Sequence, residues 1–135
     1  MDNNINDIVL QCCKINNISQ SEFFSKSRLR QIVDARTMAF YFMRNVLDLT
    51  YTKIAKYFDK NHATIIHAVN KHDAMMDWDL RYKEKYQLMQ YTMMDNYPEK
   101  FEGNIIYELR NENNDLKQRI IEIVESQNIE NNESN

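Results

Sequence analysis

The sequence predicts an all-α protein with one compact domain and an added C-terminal helix. The chain has 135 residues and is 43% hydrophobic, which suffices for one core. It contains one glycine and one proline, so it lacks most of the residues that hairpin turns require. Apolar residues recur instead at steps of three and four, the spacing of amphipathic helices.

The first elements are predicted to be a short helix and a long scaffold helix. A short helix should end near Asn16 and bury Ile5, Ile8, Val9 and Cys12. Ser19 or Ser21 can cap a brief turn, and residues 31–47 then predict a long amphipathic helix. The core positions of this scaffold helix are Ile32, Ala35, Ala39, Phe42, Met43 and Val46.

Residues 51–58 and the helix that begins near Asn61 predict a helix-turn-helix. Thr50 is a suitable N-cap for the first of these helices, and Ala55 is the small residue needed where the two cross. Asp59 stands in the turn, where a left-handed conformation is expected, and Asp tolerates that conformation better than most residues. Two core helices without a ligand remain the alternative interpretation.

The second helix of this motif is predicted to have two different faces. Its core face carries Ile65, Ile66, Val69 and Met76. Its other face carries small, polar and basic side chains of the kind that a DNA major groove accepts, namely Ala63, Thr64, His67 and Lys71.

The charge distribution agrees with a nucleic-acid ligand although the net charge is −3. From Lys26 to Lys71 there are nine basic and three acidic residues, a local balance of +6. A phosphate backbone responds to this local field. Arg28 or Arg30 in the basic segment could reach a minor groove, or the segment could be a solvated loop.

The helix is predicted to continue beyond Ala74, because apolar residues continue at helical spacing until Asn96–Pro98 ends the element. This second stripe is interpreted as a core surface and consists of Met75, Trp78, Tyr82, Tyr86, Met89 and Met93.

The C-terminal segment carries a strict heptad seam. Its core positions are Ile106, Leu109, Asn113, Leu116, Ile120 and Ile123. Such a seam is typical of a short parallel two-stranded coiled coil in which a single Asn selects the register, and it predicts a homodimer. Because three heptads are marginal when isolated, a helix folded back on its own domain is the alternative. The tail from Asn128 is predicted to be disordered.

Other classes of protein are not favoured by the sequence. No apolar run is long enough to span a bilayer and the N-terminus lacks signal-peptide features, so we expect a cytoplasmic protein without a membrane partner. Cys12 and Cys13 are expected to be inert thiols, and we predict no metal site and no cofactor. No nucleophile or acid–base pair stands in a recognisable catalytic context, so we predict that the protein is not an enzyme.

Residues 27–76 resemble the C-terminal helix-turn-helix DNA-binding domain of the bacterial chromosomal replication initiator DnaA. The resemblance rests on an arginine-rich segment before the scaffold helix, on Ala35-Arg36 with Ala39, and on the block Asn61-His62-Ala63-Thr64-Ile65-Ile66-His67-Ala68. It implies double-stranded DNA as the partner, in a bacterium or its phage, with a role in regulating replication or transcription.

The resemblance also implies roles for individual residues. Arg28 would be the minor-groove arginine, with Arg30 beside it. Base edges would be contacted by Asn61, His62 and Ala63. Phosphates would be held by Arg36, Thr64, His67 and Lys71. Tyr51 and Thr52 would lie along the edge of the groove.

Three departures from the family pattern bear on these roles. Asn61 replaces the usual Asp, which could shift a preference from cytosine towards adenine, and Ala63 replaces Thr but keeps a methyl group for thymine. The sequence also lacks the Gly-rich phosphate loop of the initiator's ATPase module, so we predict no nucleotide ligand.

The predicted organisation is a DnaA-like domain over residues 1–97, a C-terminal helix over 98–127 and a tail over 128–135. Sequence-specific binding to initiator-type boxes is the first hypothesis. The second is a protein-interaction adaptor that keeps the fold and uses its C-terminal helix to bind a partner or itself.

Overall fold

The computed structural model describes residues 2–133, with side chains from Asn4 to Gln127. That part of the chain contains eight helices and no strand, so the all-α prediction is confirmed. The chain divides into two compact units, residues 1–96 and residues 97–135. No helix of the described part is long and apolar enough to cross a bilayer.

Unit 1 is built around its third helix. Its helices are α1 (Asp2–Asn16), α2 (Gln20–Phe23), α3 (Arg30–Asn45), α4 (Tyr51–Tyr57), α5 (His62–Trp78) and α6 (Leu80–Met93). The scaffold helix α3 contacts α1, α2, α4 and α5, while α6 packs against α1 and α5. This arrangement confirms a helix-turn-helix domain on a long scaffold helix.

Local sequence explains where these helices begin and turn. Ser19 and Glu22 form a reciprocal capping box at α2, and the Thr50 side chain accepts from the backbone N–H of Lys53 at 3.1 Å to start α4. Asn17, Asp48 and Asp59 have positive φ angles at the chain reversals. Asn and Asp tolerate this left-handed conformation better than other non-glycine residues.

The prediction that the second helix of the motif continues through the second stripe is wrong. α5 ends at Trp78, and Asp79 is extended, with φ −125° and ψ 99°. Its carboxylate accepts from the backbone N–H of Tyr82 at 3.1 Å and so caps α6. The break changes the direction of the chain, and Trp78, predicted to be in the core, is 88% exposed.

The part of that stripe that lies on α6 is buried as predicted, whereas Met75 on α5 is half-buried. Tyr82, Tyr86, Met89 and Met93 form the inner face of α6. A second prediction fails on α5, where Ile66 is 37% exposed although it was placed on the core face. Ile65, Val69 and His72 define the centre of the buried face, and Ile66 lies to one side of it.

Unit 2 consists of α7 (Pro98–Phe101) and α8 (Ile105–Glu133), joined through Gly103. The glycine has φ 84°, a conformation that residues with a Cβ rarely adopt. The Asn104 side chain accepts from the backbone N–H groups of Ile106 and Tyr107 at 3.0 and 3.2 Å, which starts α8. The tail predicted from Asn128 begins inside this helix, and its last two residues lie outside the described part of the chain.

Candidate nucleic-acid interface

The turn between α4 and α5 brings two helices together at a fixed angle. Phe58, Ile65 and Val69 are buried around the turn, and Ala55 is the buried small residue at the crossing. The backbone N–H of Lys60 donates to the Ala55 carbonyl at 2.8 Å, and Asp59 adopts φ 51°. The left-handed Asp59 therefore closes the turn, as the sequence predicted.

The outward face of α5 is exposed along its length. Ala63, Thr64, His67 and Lys71 are all exposed, while Ile65, Val69 and His72 bury the opposite side. The structure thus places the predicted contact residues of α5 on one continuous accessible surface, which we refer to as the recognition face. Two exposed residues that the sequence interpretation missed belong beside it.

The missed residues are Asn70 and Lys60. Asn70 is exposed and lies three positions after His67, so it extends the recognition face towards Lys71. Lys60 is exposed in the turn, directly before the N-cap of α5. Helical spacing from His67 could have identified Asn70, whereas the position of Lys60 depends on how the turn folds.

The N-terminus of α5 is organised by its own polar side chains. Asn61 is the N-cap, and its Oδ1 accepts from the backbone N–H of Ala63 at 2.9 Å. His62 Nε2 lies 2.8 Å from Thr52 Oγ1, so a residue of α4 fixes the orientation of a residue of α5. Asn61, His62 and Thr52 remain exposed, although each already has an internal hydrogen bond.

Tyr51 lies at the start of α4 and is half-buried. The Arg44 guanidinium lies over its ring, 4.9 Å from the ring centroid. This contact joins the end of the scaffold helix to the start of α4. Tyr51 therefore packs against Arg44 and lies next to Thr52 at the start of α4.

The three arginines near the start of α3 have different environments. Arg28 is exposed and has no internal partner among the described residues. Arg30 Nε lies 3.1 Å from the buried carboxylate of Asp34, and the same guanidinium contacts Asp79 at the break between α5 and α6. Arg30 therefore connects the scaffold helix α3 to the C-terminal end of α5.

Arg36 holds the segment that precedes α3. Its guanidinium donates to the carbonyl oxygens of Phe23 at 2.8 Å, Ser27 at 2.7 Å and Glu22 at 3.4 Å, and also to that of Ser25. Partial burial lowers the pKa of this arginine from its ordinary value, because desolvation disfavours the charge. We refer to these four hydrogen bonds as the Arg36 clamp.

The inner side of α5 contains a buried polar contact. His72 Nδ1 lies 2.6 Å from the Tyr82 hydroxyl, and the imidazole stacks on Tyr41 with ring centroids 3.5 Å apart. Burial lowers the pKa of His72 to about 4, and Asp73 only partly opposes this shift. Burial also raises the pKa of Tyr82, so a neutral phenol and a neutral imidazole share this hydrogen bond.

A comparison with protein families agrees with this geometry. The family model described as bacterial dnaA protein helix-turn-helix matches residues 5–71. The chain belongs to the DnaA helix-turn-helix family. The match spans α1 to the outward face of α5, so it includes the scaffold helix, the turn and the recognition face.

Several curated DnaA proteins are similar to part of this chain. The chromosomal replication initiator protein DnaA of Bacteroides thetaiotaomicron is 33% identical over 84 residues, which are 62% of this chain and 18% of the relative. That of Campylobacter jejuni subsp. doylei is 36% identical over 84 residues, and that of Thermoanaerobacter sp. is 39% identical over 61. The latter two matches cover 19% and 14% of those proteins.

The chain thus spans less than a fifth of the length of these DnaA proteins. The part that the family model matches is the helix-turn-helix of unit 1. The DnaA assignment therefore supports DNA binding in a replication-initiator context.

Proposed function

We propose that this protein binds double-stranded DNA at initiator-type boxes by inserting the recognition face of α5 into the major groove. The observation that carries the proposal is the exposed polar face of a helix whose other side is buried on α3. Small and polar side chains allow the close approach that reading of base edges requires. The surrounding segment has a local charge of +6, which favours a polyanion.

Base contacts are assigned to the N-terminal turn of α5. Because Asn61 Oδ1 already accepts from the backbone of Ala63, its amide N–H₂ is the group left for DNA. Asn61 would then favour a base edge that offers an acceptor, adenine N7 among them, over the cytosine amino group. The Ala63 methyl group would contact a thymine methyl group.

Thr52 acts in this proposal through His62. The 2.8 Å contact between Thr52 Oγ1 and His62 Nε2 orients the imidazole before DNA arrives. His62 Nδ1 would then face the base edge, and Thr52 and Tyr51 would lie along the groove. Pre-orientation lowers the conformational entropy lost on binding.

Phosphate contacts are assigned to the flank of the recognition face and to the turn. Thr64, His67 and Lys71 are exposed along α5 and would hold one strand. Lys60 and Asn70 extend the same surface at its two ends. Contacts of this kind fix the position of the helix in the groove but carry little sequence information.

The basic segment before α3 supplies the minor-groove contact. Arg28 is exposed, whereas Arg36 directs its guanidinium to the backbone of residues 22–27. We therefore assign Arg28 to the groove and give Arg36 a positioning role in place of the phosphate contact first expected. Arg30, which pairs with Asp34 and Asp79, would stabilise the domain rather than enter the groove.

Fluorescence anisotropy with the full chain tests the proposal. The probes are a duplex that carries an initiator-type box and a scrambled duplex of equal composition, each titrated over a series of salt concentrations. We expect tighter binding to the box and an affinity that falls as salt rises. Lys71→Ala should weaken binding to both duplexes and reduce the salt slope by about 1, because one phosphate contact is lost.

Lys83→Ala is the matched control, since it removes the same charge from the exposed side of α6. Equal binding to both duplexes would exclude sequence-specific recognition. Binding that is unchanged by Lys71→Ala and His67→Ala would exclude α5 as the reading element. Binding by this route in a bacterial cytoplasm would regulate replication or transcription by occupying boxes.

A protein-interaction adaptor is the second candidate. The observation that favours it is the row of exposed apolar side chains on α8. An adaptor would show no preference for the box duplex, yet would still associate through α8. The anisotropy experiment separates these two functions, because only a sequence-specific DNA-binding protein prefers the box duplex.

A further inference from the structure

We propose that α8 forms a parallel, in-register two-stranded coiled coil with a second copy of this chain. The helix runs without interruption from Ile105 to Glu133, a length of about 43 Å at the standard rise per residue. A single surface helix of this length gains little stability from its own hydrogen bonds. The partner that stabilises α8 is therefore inferred from the side chains along its surface.

The apolar seam of α8 is open along three heptads. Ile106 and Leu109 begin it, Leu116 occupies the middle, and Ile120 and Ile123 end it. These five side chains are between 47% and 60% exposed. A contiguous apolar stripe of this kind marks an association surface, and its spacing of 3.5 residues fits another helix of the same kind.

Charges beside the seam fit a second copy in parallel orientation. If Ile106, Asn113 and Ile120 occupy position a, then Glu112 occupies g and Lys117 occupies e of the next heptad. In a parallel dimer each g residue faces the e residue five positions later on the partner helix. Glu112 would therefore meet Lys117 of the second copy, and the two-fold axis repeats the pair.

Asn113 distinguishes between the two orientations. In a parallel, in-register pair, each Asn113 side chain meets its own equivalent and the two amides hydrogen-bond to each other. In an antiparallel pair, position a faces position d, so Asn113 would be buried against an apolar side chain without a partner. The parallel arrangement therefore satisfies the polar residue that the antiparallel one leaves unpaired.

A parallel coiled coil relates the two chains by a two-fold axis. If unit 1 reads DNA as proposed above, the dimer would favour two boxes in inverted orientation, because symmetric readers match symmetric sites. This consequence rests on the proposed function, whereas the coiled coil does not. The two are tested separately.

The mass in solution tests the association. Analytical ultracentrifugation of the full chain at high micromolar concentration should give twice the chain mass of 16.3 kDa. Ile120→Glu places a charge in the seam and should return the mass to that of one chain. Glu122→Lys, at an outward position of the same helix, is the control and should leave the dimer intact.

The charge pair has its own test. Glu112→Lys alone should weaken the dimer, because two lysines then face each other across the seam. Adding Lys117→Glu restores opposite charges, and should restore the affinity of the dimer. A single-chain mass for the unmodified protein, or a double variant no tighter than Glu112→Lys, would overturn the proposal.

Cross-linking determines the orientation. Gln127→Cys introduces a thiol at the last a position, where a parallel dimer brings two copies together and an antiparallel dimer separates them. Mild oxidation should convert this variant to a covalent dimer, whereas Glu125→Cys on the outer face should remain mostly uncoupled. Equal coupling of both variants, or a dimer that fails to couple at Gln127→Cys, would contradict the parallel register.

Binding of Ile120→Glu to a duplex with a single box separates this proposal from the previous one. We expect that binding to equal the binding of the unmodified chain, while the preference for a duplex with two inverted boxes is lost. A chain that dimerises but ignores DNA would overturn the proposed function alone. An unmodified chain that is monomeric yet binds a single box would overturn only the coiled coil.

Discussion

Unit 1 and α8 differ in how far their apolar side chains are exposed to solvent. In unit 1 the isoleucines on the inner faces of the helices are buried, and Arg30, Asp34 and Arg36 of α3 have internal partners. In α8 the isoleucines and leucines of the seam are about half exposed. The net charge differs as well, since it is +2 over residues 1–96 and −5 over residues 97–135.

This difference indicates two sources of stability. The free energy of folding of unit 1 comes from contacts within one chain, because α3 is surrounded by other helices. The helical state of α8 has to depend largely on what covers its seam. Substitutions in the two regions should therefore affect different measurements.

The largest expected effect is a difference in the free energy of unfolding between substitutions of two isoleucines. Ile65→Ala removes a fully buried side chain from α5 and should lower the free energy of unfolding by about 3 kcal/mol, measured by urea denaturation. Ile120→Ala, on α8, should change the free energy of unfolding of unit 1 by less than about 0.5 kcal/mol. Similar losses for both would show that the two regions fold as one unit.

A second comparison distinguishes Arg36, which positions the segment before α3, from Arg28, which is proposed to contact DNA. Arg36→Gln removes the clamp and should lower the free energy of unfolding by about 2 kcal/mol, because hydrogen bonds to charged groups are among the stronger ones. Its affinity for DNA should fall with an unchanged salt slope.

Arg28→Gln is the matched variant, since Arg28 is exposed in the same segment. It should leave stability unchanged, weaken DNA binding and lower the salt slope by about 1. A lower slope for Arg36→Gln as well would show that Arg36 contacts a phosphate.

The pH dependence of stability probes the buried side of α5. Above pH 6.5, His72 is neutral in both the folded and the unfolded chain, so its contribution to stability is complete. As the pH falls towards the folded pKa of about 4, the unfolded chain takes up a proton that the folded chain does not. Stability should therefore fall across this window, by on the order of 2 kcal/mol.

His72→Gln supplies the control because it keeps a hydrogen-bonding group for the Tyr82 hydroxyl without a titrating ring. Its free energy of unfolding should vary less between pH 6.5 and pH 4 than that of the unmodified protein. An identical pH profile for the two would show that His72 is not the group responsible.

The smallest expected effect concerns the ion pair between Arg30 and Asp79. Asp79→Asn keeps a capping side chain for α6 but removes the charge, and Arg30 is 60% exposed, so the loss of stability should be below about 1 kcal/mol. Asp77→Asn on the exposed side of α5 should change stability still less. A loss of several kcal/mol would show that this pair is more than a surface ion pair.

The pattern of residues determined much of the helix-turn-helix in advance. The sequence predicts the cap at Thr50, the crossing at Ala55, the left-handed turn residue Asp59 and the start of α5 near Asn61. Each of these features reflects a local preference of the chain. The outward position of His67 and Lys71 follows from helical spacing alone. Local chemistry therefore sufficed to define the recognition face.

Other features depended on contacts between distant parts of the chain. The break at Asp79 could not be predicted from the stripe of apolar residues, because that stripe keeps helical spacing across the break while the extended residue redirects α6. The hydrogen-bond partners of Arg36 could likewise not be predicted from the sequence. Its sequence context suggests a phosphate ligand, and only the folded backbone of residues 22–27 places four carbonyl oxygens around its guanidinium.

By itself, the sequence determined the helices up to the start of α5, the cap at Thr50 and the outward face of α5, because these depend on the periodicity and side-chain chemistry of neighbouring residues. The tertiary structure alone decided which polar groups already have hydrogen-bond or ion-pair partners within the chain. Arg30 pairs with Asp79, Arg36 binds the backbone of residues 22–27, His62 is oriented by Thr52, and Arg28 remains exposed. Hydrogen bonds between residues far apart in the chain depend on the three-dimensional fold, which periodicity does not encode.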